Sequence, residues 1–107
     1  MQIVYNVTVN IDTASEERWL NWMREKHIPE VLATGCFTES RICRVHGEED
    51  GGATYATMYI AADQATYDRY VAEFAPKLQA DHQANFGGHF AAFRTILSVV
   101  HQFKYES

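Results

Sequence analysis

Across residues 2–11 apolar and polar side chains alternate. Ile3, Tyr5, Val7, Val9 and Ile11 fall on one side, and Asn6, Thr8 and Asn10 on the other. A repeat of two marks a strand half-buried against a core. The period then lengthens. Thr13-Ala-Ser-Glu16 has the spacing of a capping box, in which hydroxyl and carboxylate satisfy a helix's first free N–H groups. Trp19, Leu20, Trp22 and Met23 follow as a wide apolar helical stripe. Pro29 pushes Ile28 toward an extended backbone, so the helix is expected to end near His27. A short helical turn over 30–34, opened by Pro29 and closed by Gly35, comes next.

The pattern predicts a second strand over about 37–46 and a third over 53–61. Residues 47–52 form a hairpin loop between them, with glycines to supply positive φ. Asp63 has the character of an N-cap, and Tyr67, Tyr70, Val71, Phe74 and Leu78 recur at helical spacing. Pro76 should kink or restart this helix. Its second piece carries Leu78, His82 and Phe86 on one stripe, and Gly87-Gly88 ends it. A last strand runs from 90 to about 100, followed by a short polar tail.

The order is βαββαβ, in one domain over residues 1–107. With right-handed crossovers it predicts an α+β ferredoxin-like plait: four antiparallel strands with the helices on one face. The odd positions of the first strand should meet the helices. The other face is expected to carry Asn6, Thr8, Arg94, Ile96 and, depending on register, Tyr55 and Tyr59 or Met58. Such a face is too apolar to stay wet, and the simplest cover is a second copy on a twofold axis. A homodimer with facing sheets, forming a dimeric α/β barrel, is the expected assembly.

Composition narrows the partners. The chain has 107 residues, 47% of them hydrophobic and 21% charged, enough for a real core without staples. Nine basic against fourteen acidic residues give a net charge of -5, with no basic stripe. RNA-recognition domains share the βαββαβ order, but residues 52–59 lack the basic opening of their third-strand motif, so no nucleic-acid partner is expected. No apolar run approaches the ~18 residues of a membrane span, and the start lacks a charged n-region and cleavage site. A cytoplasmic protein without a membrane partner is the expectation. Cys36 and Cys43 are read as lying on one strand, Cα atoms roughly 23 Å apart and on opposite faces, so no disulfide joins them.

The stretches YNVTVNID (5–12), HIPEVLATG (27–35) and EFAPKLQADHQANFGGHFAAFRT (73–95) resemble a bacterial family known as a domain of unknown function, within the dimeric α/β-barrel superfamily. The resemblance spans nearly the whole chain. It implies the plait and the face-to-face dimer, and no particular reaction. The superfamily includes cofactor-independent monooxygenases, lactone isomerases and haem-degrading enzymes. The last pair an asparagine on the first strand with a histidine on the second helix, and Asn6 with His82 resembles that pair, although the third strand here carries tyrosines instead of tryptophan.

Several side chains are candidates for chemistry. His27, placed at a helix C-terminus, would be favoured as imidazolium by the helix dipole and could act as acid or base; capping the last carbonyls is its plainer role. His82 faces the sheet, for proton transfer or simply satisfied by a carbonyl. Arg94, mid-strand, needs a partner: a carboxylate such as Glu39, the plainer choice, or an anionic ligand. Asn6 would orient a ligand or line an interface, and Tyr55 and Tyr59, two apart, would form an aromatic wall. No histidine pair has the i, i+4 spacing of a helical metal site, and neither a metal nor a cofactor is expected. The function expected is a homodimer binding a small molecule between its sheets, with no reaction assignable. The alternative is a cofactor-independent enzyme, monooxygenase- or isomerase-like, using a pocket histidine.

Overall fold

The structure is a computed structural model and describes residues 1–47 and 51–106. Residues 48–50, the centre of the expected 47–52 loop, lie outside the described residues. Four strands, β1 (Ile3–Asp12), β2 (Glu39–Arg44), β3 (Gly52–Ala61) and β4 (Phe90–Ser98), form one antiparallel sheet in the order β2-β3-β1-β4. Between β1 and β2 run α1 (Glu16–Trp22), a π turn (Met23–His27) and α2 (Ile28–Ala33). Between β3 and β4 run α3 (Gln64–Glu73) and α4 (Ala75–Phe86). This is the α+β ferredoxin-like plait.

The alternation of β1 sets the core. Ile3, Tyr5, Val9 and Ile11 are buried under the helices in two adjoining clusters. One gathers Tyr5, Phe37, Tyr59 and Tyr70, and the other Trp19, Tyr55 and Phe86. Asp63 caps α3 as expected, its carboxylate accepting from the Thr66 amide at 2.8 Å. Pro76 restarts the helix, separating α3 from α4 at Phe74.

Three local expectations are corrected. The first helix does not end at His27: Ile28 is helical, at φ -62° and ψ -45°, and the rod continues through Pro29 to Ala33. Proline lacks an N–H and its ring crowds the carbonyl four residues back. The chain answers by widening a turn instead of breaking it, and the Ile28 amide donates to the Met23 carbonyl, five residues back. The capping box is absent, because a 3₁₀ turn (Thr13–Ser15) leads into α1 and the Glu16 carboxylate accepts from the Tyr55 hydroxyl. Strand β2 is shorter than expected, and Cys36 lies before it, buried in the core with Arg69 donating to its Sγ at 3.4 Å. Both cysteines are free.

Register decides the faces. Val7 stands opposite Thr57 and Arg94, Tyr5 opposite Tyr59 and Ile96, and Val9 opposite Tyr55 and Ala92. Arg94, Ile96, Tyr55 and Tyr59 therefore lie on the helix side of the sheet, not on the open face. The sequence shows Phe90-Ala-Ala-Phe93 with apolar residues at both parities, so its pattern alone does not choose a register for β4. The open face carries Asn6, Thr8, Met58, Phe93 and Leu97. Phe93 there is 63% exposed and Leu97 48%. Among the described residues no helix is long and apolar enough to cross a membrane.

Candidate functional site

Where the two core clusters meet, side chains from the sheet and from both helical crossovers fail to fill the space. A cavity of about 40 Å³ remains between Tyr5, Val7, Thr57 and Tyr59 on the sheet and Met23, His27, Val31, Tyr70, Leu78 and His82 on the helices. That is room for about three waters or the polar end of a small molecule. It shares Gln79, His82, Ala92 and Arg94 with an open cleft of about 530 Å³ between α4 and the edge strand β4, which also meets Gln83 and Phe90. The cavity lies within one protomer, beneath the helices, and not on the open face.

His27 owes its position to the π turn. The extra residue in that turn directs the imidazole inward, where it stacks on Trp22 at 4.8 Å and lies 5.7 Å from the His82 ring. Its Nδ1 is buried without a hydrogen-bond partner. Burial lowers its pKa, against the opposing pull of the Glu30 and Asp81 carboxylates. The imidazolium expected for a helix C-terminus is thus replaced by a neutral ring in mid-rod. A second orphan shares the cavity: Thr57, only 1% exposed, has a hydroxyl with no partner. Buried polar groups are normally paired, and two unpaired ones on the same cavity are the strongest chemical signal in the fold.

His82 is satisfied by a side chain, not by the carbonyl expected: the Trp19 indole Nε1–H donates to its Nε2 at 2.9 Å. Its ring meets Phe90 edge-on at 4.1 Å. Burial, then the neighbouring His27 and Arg94, push its pKa down to about 4. Asp81 points away, pairing with Lys77 at 3.4 Å.

Arg94 reaches over the cavity from β4, its Nε donating to the Tyr5 hydroxyl at 3.0 Å. The expected ion pair with Glu39 is absent. Glu39 sits on β2, at the far edge of the sheet and on its open face, opposite Ile60. Among the described residues no carboxylate pairs with Arg94. Burial raises the pKa of Tyr59 and Tyr70, which stay protonated.

Of the sequence candidates, the fold therefore brings together His27, His82, Arg94 and Tyr59. Tyr55 packs 5.3 Å from Trp19, behind the cavity wall. Asn6 is on the opposite side of the sheet, donating to the Thr8 hydroxyl at 3.0 Å, so it makes no pair with His82. Tyr5, Thr57 and Trp19 complete the site without having been candidates on sequence alone. Thr57 was visible in principle: positions 53, 55, 57, 59 and 61 read Ala, Tyr, Thr, Tyr, Ala, one small aliphatic hydroxyl between two aromatic rings. Among the described residues no group of three or more histidine, cysteine or acidic side chains is placed to hold a metal ion.

Solved structures share the architecture. A dimeric ferredoxin-like protein from an uncultured marine organism superposes with a TM-score of 0.75 at 10% identity, over 95% of this chain and 98% of that one. HapK from Hahella chejuensis gives 0.71 at 10% identity, over the whole of both chains. SnoaB from Streptomyces nogalater, described as a cofactor-independent oxygenase, gives 0.67 at 9% identity, over 97% and 98%. These identities establish the fold alone. No curated protein matches the chain. Residues 2–100 match the family model described as Domain of unknown function (DUF4286), and the chain belongs to that family.

Proposed function

We propose that this member of the family is a homodimer in which each protomer binds a small oxygen-bearing organic anion in the cavity between sheet and helices. The observation that carries the reading is the pair of buried orphans, His27 Nδ1 and Thr57 Oγ1, on one cavity. Leaving each unpaired costs about 1–3 kcal/mol, a cost that a ligand's polar atoms would offset. Arg94, without a carboxylate partner among the described residues, supplies the charge that selects an anion. The homodimer is supported by the exposed Phe93, Leu97 and Met58 on the open face and by the dimeric assembly of the marine neighbour.

A second reading, a cofactor-independent enzyme, is favoured by one observation. His27 is held neutral by burial, and its Nδ1 has no partner. A neutral imidazole with a free nitrogen can take a proton from a carbon acid while Arg94 holds the anion that forms.

The test is a titration of the ¹⁵N-labelled protein with benzoate, phenol and a short oxo-acid, followed by amide shifts. Shifts centred on Tyr5, Thr57, His82 and Arg94, abolished by Arg94→Ala for the carboxylates, support the binding site. Shifts confined to the open face, or none with any of the three, overturn it.

A further inference from the structure

We infer that Trp19 is a positioning residue: it fixes His82 as the Nδ1–H tautomer, so that His82 acts at the site as a hydrogen-bond donor to an oxygen of the ligand and not as a base. The role at the site rests on the binding reading above; the tautomer itself does not.

An indole nitrogen only donates. Its N–H lies 2.9 Å from His82 Nε2, within the range of a good hydrogen bond, so Nε2 must present a lone pair. In a neutral ring the proton then resides on Nδ1. Protonating Nε2 would set two N–H groups against each other in a buried contact. Trp19 cannot turn aside to relieve it, since its side chain is fully buried, packed 5.3 Å from Tyr55.

The groups that face His82 reinforce the neutral form. His27 comes from the π turn, Trp22 from α1, Phe86 from its own helix, and Phe90 and Arg94 from β4. None is a carboxylate. The only polar atom His82 can offer to a molecule in the spaces it lines is therefore Nδ1–H, and Arg94 lines the same two spaces. Two donors at the junction of cavity and cleft suit a carboxylate or enolate oxygen. This divides the histidines: His27, with an unpaired nitrogen, is the one able to accept a proton, and His82 is the one able to steady the resulting charge.

The experiment is long-range ¹H–¹⁵N correlation of the imidazoles in the full chain at pH 7, with no ligand added. The expected result is a protonated Nδ1 and an unprotonated Nε2 on His82. Trp19→Phe, which keeps an aromatic ring but loses the donor, should return His82 to a mixture rich in the Nε2–H form. A wild-type His82 carrying its proton on Nε2, or charged at pH 7, overturns the inference even if the variant fails to fold. The readout needs no ligand, so it stands apart from any failure of the cavity to bind one. If benzoate binds, His82→Phe should weaken it about tenfold, and His82→Gln, whose amide can accept from Trp19 and still donate, should restore most of the affinity. Equal affinities for the two variants would overturn the donor role.

Discussion

Thr57→Val tests the cavity through its cost to the empty protein. Thr57 sits at the centre of β3, opposite Val7, and its side chain is essentially fully buried. Its hydroxyl, on the cavity, makes no hydrogen bond to another group of the protein. Valine has nearly the same shape and a methyl in place of that hydroxyl. Removing the orphan recovers about 1–3 kcal/mol of desolvation, and the new methyl adds up to ~0.8 kcal/mol of apolar burial. Imperfect fit to a cavity shaped for a polar group takes part of this back. A net gain of about 1–2 kcal/mol remains, which in a domain near this size raises the melting temperature by about 4 °C or more. Urea unfolding read by tryptophan fluorescence measures it. The same variant should bind a cavity ligand more weakly, since the hydroxyl is there to meet one. A variant less stable than wild type by about 1 kcal/mol would contradict the orphan assignment: the hydroxyl would then be satisfied by ordered water, and its burial would be structural.

Two further outcomes are expected. The depressed pKa of His82 links stability to pH, because the unfolded chain takes up its proton near 6.5 and the folded chain only near 4. Stability is thus complete above 6.5 and lost as pH falls from 6.5 toward 4. Urea midpoints across that range should fall more gently for His82→Phe than for wild type, and identical slopes would contradict the buried neutral ring. Met58→Glu places a charge at the middle of the open face and should convert a dimer of twice 12.2 kDa into a monomer by sedimentation. An unchanged mass would remove that face from the interface.

Much of this architecture was legible because the first strand alternates throughout except at Val4. Five apolar side chains at odd positions leave one choice of buried face, and proline and glycine mark the restart and end of α4. The site was half legible. His27 and His82 announce themselves as residue types, and His82 lies on a stripe that must face the sheet. What was hidden is what depends on a single-residue offset. Residues 90–93 pack equally well either way up in a strand, so the placement of Arg94 had to wait for the ladder that sets it opposite Val7. The π turn was hidden for a similar reason. Proline normally announces a helix end, but here the helical segment, with Trp19, Met23 and Val31 buried in the core, runs on through Pro29 and takes up the misfit in a turn wider by one residue. That residue is what brings His27 to the cavity.

The central strand thus serves two ends at a period of two. Tyr5, Val7 and Val9 line the cavity, while Asn6 and Thr8 between them face the side on which a second copy would sit. Strand β3 repeats the division with Thr57 and Met58 as chain neighbours pointing opposite ways. A pleated backbone passes little of a side chain's change from one face to the other, so binding and assembly can be altered separately by substitutions one residue apart. Thr57→Val should therefore leave the dimer intact, and Met58→Glu should leave the carboxylate titration of Arg94 intact. Should either variant disturb both properties, the two faces act together, with a partner subunit shaping the cavity through the shared sheet.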